Sequence, residues 1–426
     1  MSPASSRILK VALWAVGILA GVVIVIALYV LIRWDAKVDR RAPDLAAPRD
    51  SASVARGEYI FKYQAQCWTC HAAGPADATS APSGGRQFDL TETGPGFGFW
   101  YSRNITPDVE TGIGAWTDGE IIQGIREGVR KDRTAMFPLM PVDWYHGISD
   151  RDILALVAYL RSIPPVKNTV PAHKPSFFAK ALFAFGVLKP KEELKALVAF
   201  PEPGETVEYG RYVASNLAGC MECHTPRNVQ DGKFYLDSLG AGSSFAFGGE
   251  PGTMAGAFAR NITPDRETGI GSWTEEQFIT AVTTGVRPDG TVLIPAEMPY
   301  ASYKFMTGED LKAIYQFLTG LPSHRRTTPP PDFTDGYRSA SGTERGKLIF
   351  QGRCQACHGQ EGRGAPSTNV KLAEVAPSLD DADLKEFIMT GKIDLKMPGF
   401  GKTLSEEELG DLVAYIRSWG PTAATQ

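Results

Sequence analysis

All six cysteines of this 426-residue chain fall into three copies of one pentapeptide, with none left over. They read Cys67-Trp-Thr-Cys70-His71, Cys220-Met-Glu-Cys223-His224 and Cys354-Gln-Ala-Cys357-His358. Cys-x-x-Cys-His is the attachment signature of a c-type haem. The two thiols reach the two vinyl groups of one porphyrin, and the next-residue His lies under the iron as proximal ligand. Zinc half-sites come in pairs, and three copies leave one unpaired. A thioredoxin-like motif needs one copy beside a βαβ pattern, which is absent here. Structural disulfides would scatter the cysteines rather than set all of them before a His. The expected cofactors are therefore three covalently bound haem c groups.

Around each motif the same signals recur in the same order. An early helix carries Gly57, Gly210 or Gly346, eight to ten residues before the first Cys. The motif, loops, a Met-Pro pair and a closing helix follow. The closing helices are expected at 150–162, 308–320 and 406–418, with apolar residues at helical spacing such as Ile153, Leu156, Val157 and Leu160. Ser149 with Asp152, Thr307 with Asp310, and Ser405 with Glu408 give each a capping-box-like start. An aromatic sits inside each helix: Tyr159, Phe317 and Tyr415. The early Gly would let the opening helix cross closely under it. This pairing resembles small class I cytochrome c domains. The fold expected is mainly α, with three tandem domains of that kind at 52–165, 206–322 and 341–421.

The first two units share an insertion. Arg103-Asn-Ile-Thr-Pro-Asp108 recurs as Arg260-Asn-Ile-Thr-Pro-Asp265, a mark of duplication. Its acidic residues match no EF-hand spacing and are expected to form a turn with a capping Asp. The linker at 166–205 carries Phe177, Phe178, Leu182, Phe183, Phe185, Val187 and Leu188. It is expected to cover the first unit, or else to dock at a membrane interface. The segment at 323–340 is Pro-rich and expected to be an extended spacer.

An electron-carrying c-type haem normally has a second axial ligand, usually Met. Met140, Met298 and Met397 each precede Pro ahead of a closing helix, 69, 74 and 39 residues after the motif His. Met136, Met306 and Met389 are rivals that do not precede Pro. His146, His173 and His324 are expected on the surface or in loops. The iron sites are thus His71 with Met140, His224 with Met298, and His358 with Met397. Closed axial positions suit sequential one-electron tunnelling rather than substrate chemistry, and no acid–base pair, nucleophile or phosphate loop accompanies them.

After a tail at 1–10, residues 11–32 form an unbroken apolar run of 22 residues. At 1.5 Å per residue it spans about 33 Å, enough to cross a bilayer core. No small-x-small cleavage site follows before Arg33, so an uncleaved anchor is expected. Arg33, Lys37, Arg40 and Arg41 after the span outnumber Arg7 and Lys10 before it, which would make the C-terminal side cytoplasmic. Haem attachment takes place on the periplasmic side, and decides for a single-pass inner-membrane protein with periplasmic haem domains. The flanking charges stay in conflict with that topology. A net charge of −4 gives no basic surface for nucleic acid.

Nearly all of the chain after the anchor resembles the triheme cytochrome c subunit of membrane-bound periplasmic dehydrogenase complexes. The residues that carry the resemblance are the Asn-Ile-Thr-Pro-Asp runs at 104–108 and 261–265, the run Cys223-His-Thr-Pro-Arg-Asn228, and the three Met-Pro pairs. The resemblance implies a periplasmic catalytic subunit as partner. That subunit is a molybdenum/iron–sulfur aldehyde dehydrogenase, which the N-terminal anchor favours, or a quinoprotein alcohol dehydrogenase. It also implies ubiquinone or another respiratory acceptor. The chain itself is then a non-catalytic electron-transfer subunit. Two alternatives remain: a free-standing respiratory cytochrome between a quinol-oxidising complex and a terminal oxidase, and a haem enzyme such as a peroxidase.

Overall fold

A computed structural model describes residues 3–73, 79–91, 96–228, 232–243, 259–290, 293, 298–326, 341–354, 358, 362–363, 371–391, 397, 399–400 and 404–419. The chain starts with helix α1, Pro3–Arg33. Its stretch Ala12–Arg33 is apolar and long enough to cross a membrane, and nearly all of it is exposed. The chain then runs extended along the first unit. Val38 N–H donates to the Arg133 carbonyl at 2.8 Å, Arg40 pairs with Glu127 at 2.8 Å, and Ala47 N–H donates to Asp118 at 2.9 Å.

Opening helix α2, Ser51–Tyr59, is capped by Asp50, whose side chain accepts from Ser53 N–H. It runs into a π-helical turn, Ile60–Gln64, and then α3, Trp68–His71, which bears the first motif. Helix α4, Asp118–Glu127, starts on a full capping box of Thr117 and Glu120. Short α5, Val142–Tyr145, follows Met140-Pro141 and leads to closing helix α6, Asp150–Ser162. The linker then adds α7, Phe177–Ala184. The second unit repeats the order of the first. Opening helix α8, Val207–Tyr212, passes through a π-helical turn, Val213–Leu217, into motif helix α9, Cys220–His224. Then come α10, Glu275–Thr284, α11, Tyr300–Tyr303, and closing helix α12, Gly308–Thr319. Beyond 341 lie α13, Thr343–Arg353, α14, Leu372–Val375, α15, Asp381–Thr390, and α16, Glu406–Ser418.

The three expected closing helices lie where the periodicity puts them, within one residue. Each is crossed by an opening helix at that helix's early Gly. A Cβ at Gly57 would sit 1.9 Å from the Ala155 carbonyl oxygen; at Gly210, 1.8 Å from Ala313 O; at Gly346, 1.9 Å from Asp411 O. Only a hydrogen can occupy that space. Ser405 and Glu408 complete a capping box, but Ser149 and Thr307 cap without the reciprocal bond. Their third residues are Asp152 and Asp310, whose carboxyl groups are committed elsewhere.

That commitment joins the first two units. The Tyr212 hydroxyl of the second unit donates to Asp152 at 2.8 Å and accepts from Ser149 N–H at 3.1 Å. The Tyr59 hydroxyl of the first unit donates to Asp310 at 2.5 Å and accepts from Thr307 N–H at 2.8 Å. Each tyrosine, two residues after its Gly, therefore caps the other unit's closing helix. Each Asp also has a donor from its own unit: Arg56 for Asp152 at 2.7 and 2.8 Å, and Tyr209 for Asp310 at 2.8 Å. Around this exchange the two units share one hydrophobic cluster, which includes Ile60, Phe61, Leu156, Tyr212, Leu217, Tyr303 and Phe317. Residues beyond 341 have a separate cluster built on Ile349, Phe350, Leu384, Leu409, Leu412 and Ile416.

The linker after α6 folds back on the first unit. Its strand β3, Lys174–Pro175, completes an antiparallel sheet with β1, Gln87–Asp89, and β2, Gly98–Tyr101, in the order β1-β2-β3. Helix α7 then lays Phe178 against Phe97 and Phe183 against Trp100. Of the Pro-rich spacer, 327–340 lies outside the described residues.

Candidate haem centres

A cavity of about 1060 Å³ opens between the first and second units. Its wall holds Cys67, Cys70, His71 and Met140 from one unit, and Cys220, Cys223, His224 and Met298 from the other. The two motifs thus face one continuous apolar chamber. Met136 and Met306 also border it. Met136 packs near Gly124 of α4, and Met306 belongs to the shared core.

Two backbone carbonyls set the chemistry of the motif histidines. His71 Nδ1 donates to the Arg103 carbonyl at 2.8 Å, and His224 Nδ1 to the Arg260 carbonyl at 2.6 Å. A carbonyl only accepts, so each Nδ1 carries the proton and each Nε2 keeps its lone pair. Burial depresses both imidazoles below their ordinary value, and so keeps them neutral. Neutral Nε2 on an Nδ1-anchored ring is the form that ligates a metal. Arg103 and Arg260 open the repeated Arg-Asn-Ile-Thr-Pro runs, which gives the insertion its structural purpose.

The insertion is locked from inside. Asn104 Oδ1 accepts from Thr106 N–H at 3.0 Å, and Asn104 Nδ2 donates to the Val166 carbonyl at 2.8 Å. Asn261 does the same with Thr263 at 2.9 Å and the His324 carbonyl at 2.6 Å. Asp108 caps Thr111 N–H at 2.7 Å, as Asp265 does Thr268 N–H at 2.7 Å. Both acids are turn caps, as the sequence suggests, and no cluster of three or more metal-binding side chains occurs among the described residues.

Cys67 with Cys70, and Cys220 with Cys223, form no disulfide and border the chamber. Burial pushes Cys67, Cys220 and Cys223 up to about 12, far from a reactive thiolate. Cations also crowd the chamber. Arg103, Arg130, Arg260 and Arg287 line it, with Arg130 and Arg287 coming from the repeated Gly128-Val-Arg130 and Gly285-Val-Arg287. Burial lowers Arg103 and Arg130, and repulsion from Arg103 lowers Arg130 further. His173 also borders the chamber, 5.0 Å from the Trp100 ring, with Nδ1 accepting from Tyr101 N–H at 3.2 Å. Burial, then Arg130 and Arg103, push it down to about 4. His173 lies in a loop, as expected, and is half-buried there just before β3. His146 and His324 are half-buried as well; His146 Nδ1 lies 3.1 Å from the Arg126 carbonyl.

A large apolar chamber, paired cysteines, neutral lone-pair imidazoles and arginines along its wall fit a porphyrin with anionic propionates. Two hydroxyls complete the wall: Tyr145 donates to the Ala65 carbonyl at 3.3 Å, and Tyr303 donates to the Ala218 carbonyl. The third set is described in part. Cys354 and Met397 pack against the third unit's core, and His358 Nδ1 is buried without a hydrogen-bond partner among the described residues. Cys357 lies outside the described residues. The rival Met389 projects from α15 and is exposed.

Residues 54–164 match the cytochrome c family model, and residues 341–416 match the model for subunit III of cbb3-type cytochrome c oxidase. The chain therefore carries cytochrome c domains, which bind haem c covalently. It is similar to the cytochrome c subunit of quinone alcohol dehydrogenase from Gluconacetobacter polyoxogenes, 28% identical over 88% of this chain and 82% of that one. The gluconate 2-dehydrogenase cytochrome c subunit of Pantoea cypripedii is 27% identical over 87% of this chain and 86% of its own length. A nicotinate dehydrogenase subunit of Pseudomonas putida is 28% identical over 95% of this chain, which spans only 33% of that protein. The chain is thus a homologue of proteins named as cytochrome c subunits of alcohol, gluconate and fructose dehydrogenases.

Proposed function

We propose that this chain is the electron-transfer subunit of a membrane dehydrogenase complex, with three haem c groups in cytochrome c domains at 52–165, 206–322 and 341–421. The observation that carries this reading is the shared chamber, where two motif histidines present neutral Nε2 atoms beside paired cysteines and wall-lining arginines. Bound haem c supplies reversible one-electron exchange at its iron. The protein's part is to hold it: Cys67 and Cys70, Cys220 and Cys223, and Cys354 and Cys357 form the thioethers. His71 with Met140, His224 with Met298, and His358 with Met397 would hold the irons. Arg103 with Arg130, and Arg260 with Arg287, would face the anionic propionates. A second histidine would lower the potential relative to these thioethers.

Helix α1 anchors the chain in the inner membrane, with the haem domains on the periplasmic side. The donor is a dehydrogenase catalytic subunit, of the aldehyde or alcohol type, and the acceptor is membrane ubiquinone. The relatives' names support a dehydrogenase donor, with alcohol, gluconate, fructose and nicotinate as the substrates they name. A second reading, a respiratory cytochrome that delivers electrons to a terminal oxidase, is favoured by the match of 341–416 to an oxidase subunit model.

The test is to purify the tagged protein from its native membrane in mild detergent, oxidise it, and add ethanol, acetaldehyde, gluconate, fructose or nicotinate while recording the haem bands. Reduction by one of these, with a catalytic subunit on the gel, is expected. No reduction by any, with no large partner, supports the oxidase-linked carrier instead.

A further inference from the structure

Helix α7 has two faces. On one, Ala179 is fully buried and Phe183 reaches Trp100 and Phe137; Phe178 packs on Phe97 at the edge of this face and stays 39% exposed. On the other, Phe177 and, just past the helix, Phe185 and Val187 are 52%, 57% and 58% exposed. Three large apolar side chains exposed along one short segment are costly in water, and such a surface marks an interaction site.

Its place against α1 says which. The Phe185 ring lies 5.4 Å from Tyr29, and the Tyr29 hydroxyl donates to the Ala184 carbonyl at 3.3 Å. Tyr29 is four residues before Arg33, the end of the apolar span, so it lies about 6 Å inside that end. The C-terminal end of α7 therefore sits at the depth of the headgroup–acyl boundary. There the exposed rings run on into the exposed Leu28, Leu31 and Ile32 of α1. Lys180 lies 5.3 Å over the Trp34 ring, the aromatic–lysine pairing of a membrane interface.

We propose that α7 is an interfacial membrane anchor, with Phe177, Phe185 and Val187 seated among lipids of the leaflet from which α1 emerges. This rests on α1 spanning the membrane. It has a consequence for the first unit. Phe183 packs on Trp100 and Phe137, which line the chamber and stack 4.2 Å apart. The membrane surface and the wall of the chamber are then linked through packed aromatic rings, so the chamber cannot tilt freely on the single helix α1.

The test uses full-length holoprotein with p-benzoylphenylalanine in place of Phe177, Phe185, Val23 or Leu236, one site at a time. Val23 is an exposed residue of the span, and Leu236 is an exposed residue of the second unit. After irradiation in native membranes, mass spectrometry identifies each adduct. Lipid adducts are expected at 177, 185 and 23, and none at 236. Lipid adducts at 23 but not at 177 and 185 would overturn the interfacial anchor and leave the transmembrane one standing. Absence of lipid at 23 would overturn both. Adducts of 177 and 185 with a protein subunit would assign this face to a partner chain and overturn the proposal.

Discussion

The reciprocal tyrosines make a sharp prediction about how the first two units hold together. Tyr59→Phe removes one hydroxyl that serves two groups across the interface, the Asp310 carboxyl and the Thr307 N–H. Asp310 is 2% exposed, and water cannot replace the lost donor without opening the contact. Burial and the Asp310 charge raise the Tyr59 hydroxyl well above its ordinary value, so it is a fixed donor. A hydrogen bond to a charged group contributes about 1.5–3 kcal/mol and a neutral one about 1. Gln64 and Tyr209 still serve Asp310 in the variant, at 2.9 and 2.8 Å. The expected loss is therefore about 2–3 kcal/mol, and Tyr212→Phe should match it. The assay is urea unfolding of the holoprotein in detergent, followed by the visible circular dichroism of the haems. Because residues beyond 341 have their own core, their transition should stay in place while that of the first two units shifts. If both variants came within about 0.5 kcal/mol of wild type, as surface substitutions do, the tyrosines would not hold the units together. Equal shifts in both transitions would refute the separation of the cores.

Three further outcomes follow from the geometry. Met140→His, Met298→His and Met397→His should each lower one haem potential in a redox titration and leave the other two nearly unchanged, and three fixed potentials in any variant would remove that Met as ligand. Gly57→Ala puts a Cβ 1.9 Å from the Ala155 carbonyl and should cost at least ~2 kcal/mol in thermal or urea unfolding, with neutrality refuting the close crossing. Asp118 is raised by burial but lowered more by the Ala47 N–H and Arg161, so its net value falls below 3.8. Its contribution is full above that value and lost as pH falls through the lower folded one, so the stability gap to Asp118→Asn should shrink only below about pH 4.

Much of this was legible because it is local. The closing helices and the glycines under Tyr159 and Tyr415 are written in short spacings, and the structure places them accordingly. The π-helical turns before both motifs left no sign, since Ile60–Gln64 and Val213–Leu217 carry ordinary helical patterns. Tyr59 and Asp310 are 251 residues apart, and nothing in a single sequence pairs them. One trace did exist: tyrosine stands two places after Gly57 and Gly210, whereas Leu348 stands there after Gly346. Likewise the repeat beginning at Arg103 and Arg260 was visible, but its use is a backbone carbonyl, which side-chain identity does not encode. His173 was legible as a loop residue, but its contact with Trp100 was not, because the strand that follows it is only two residues long.

The most direct measurement is a reductive titration of the purified holoprotein with a one-electron reductant, followed by carbon monoxide. Three electrons per 46.2 kDa polypeptide, low-spin spectra throughout and no carbon monoxide binding are expected for three His/Met haems that only carry electrons. Fewer than three equivalents, or a high-spin iron that binds carbon monoxide, would contradict it and point to a haem with a free coordination site.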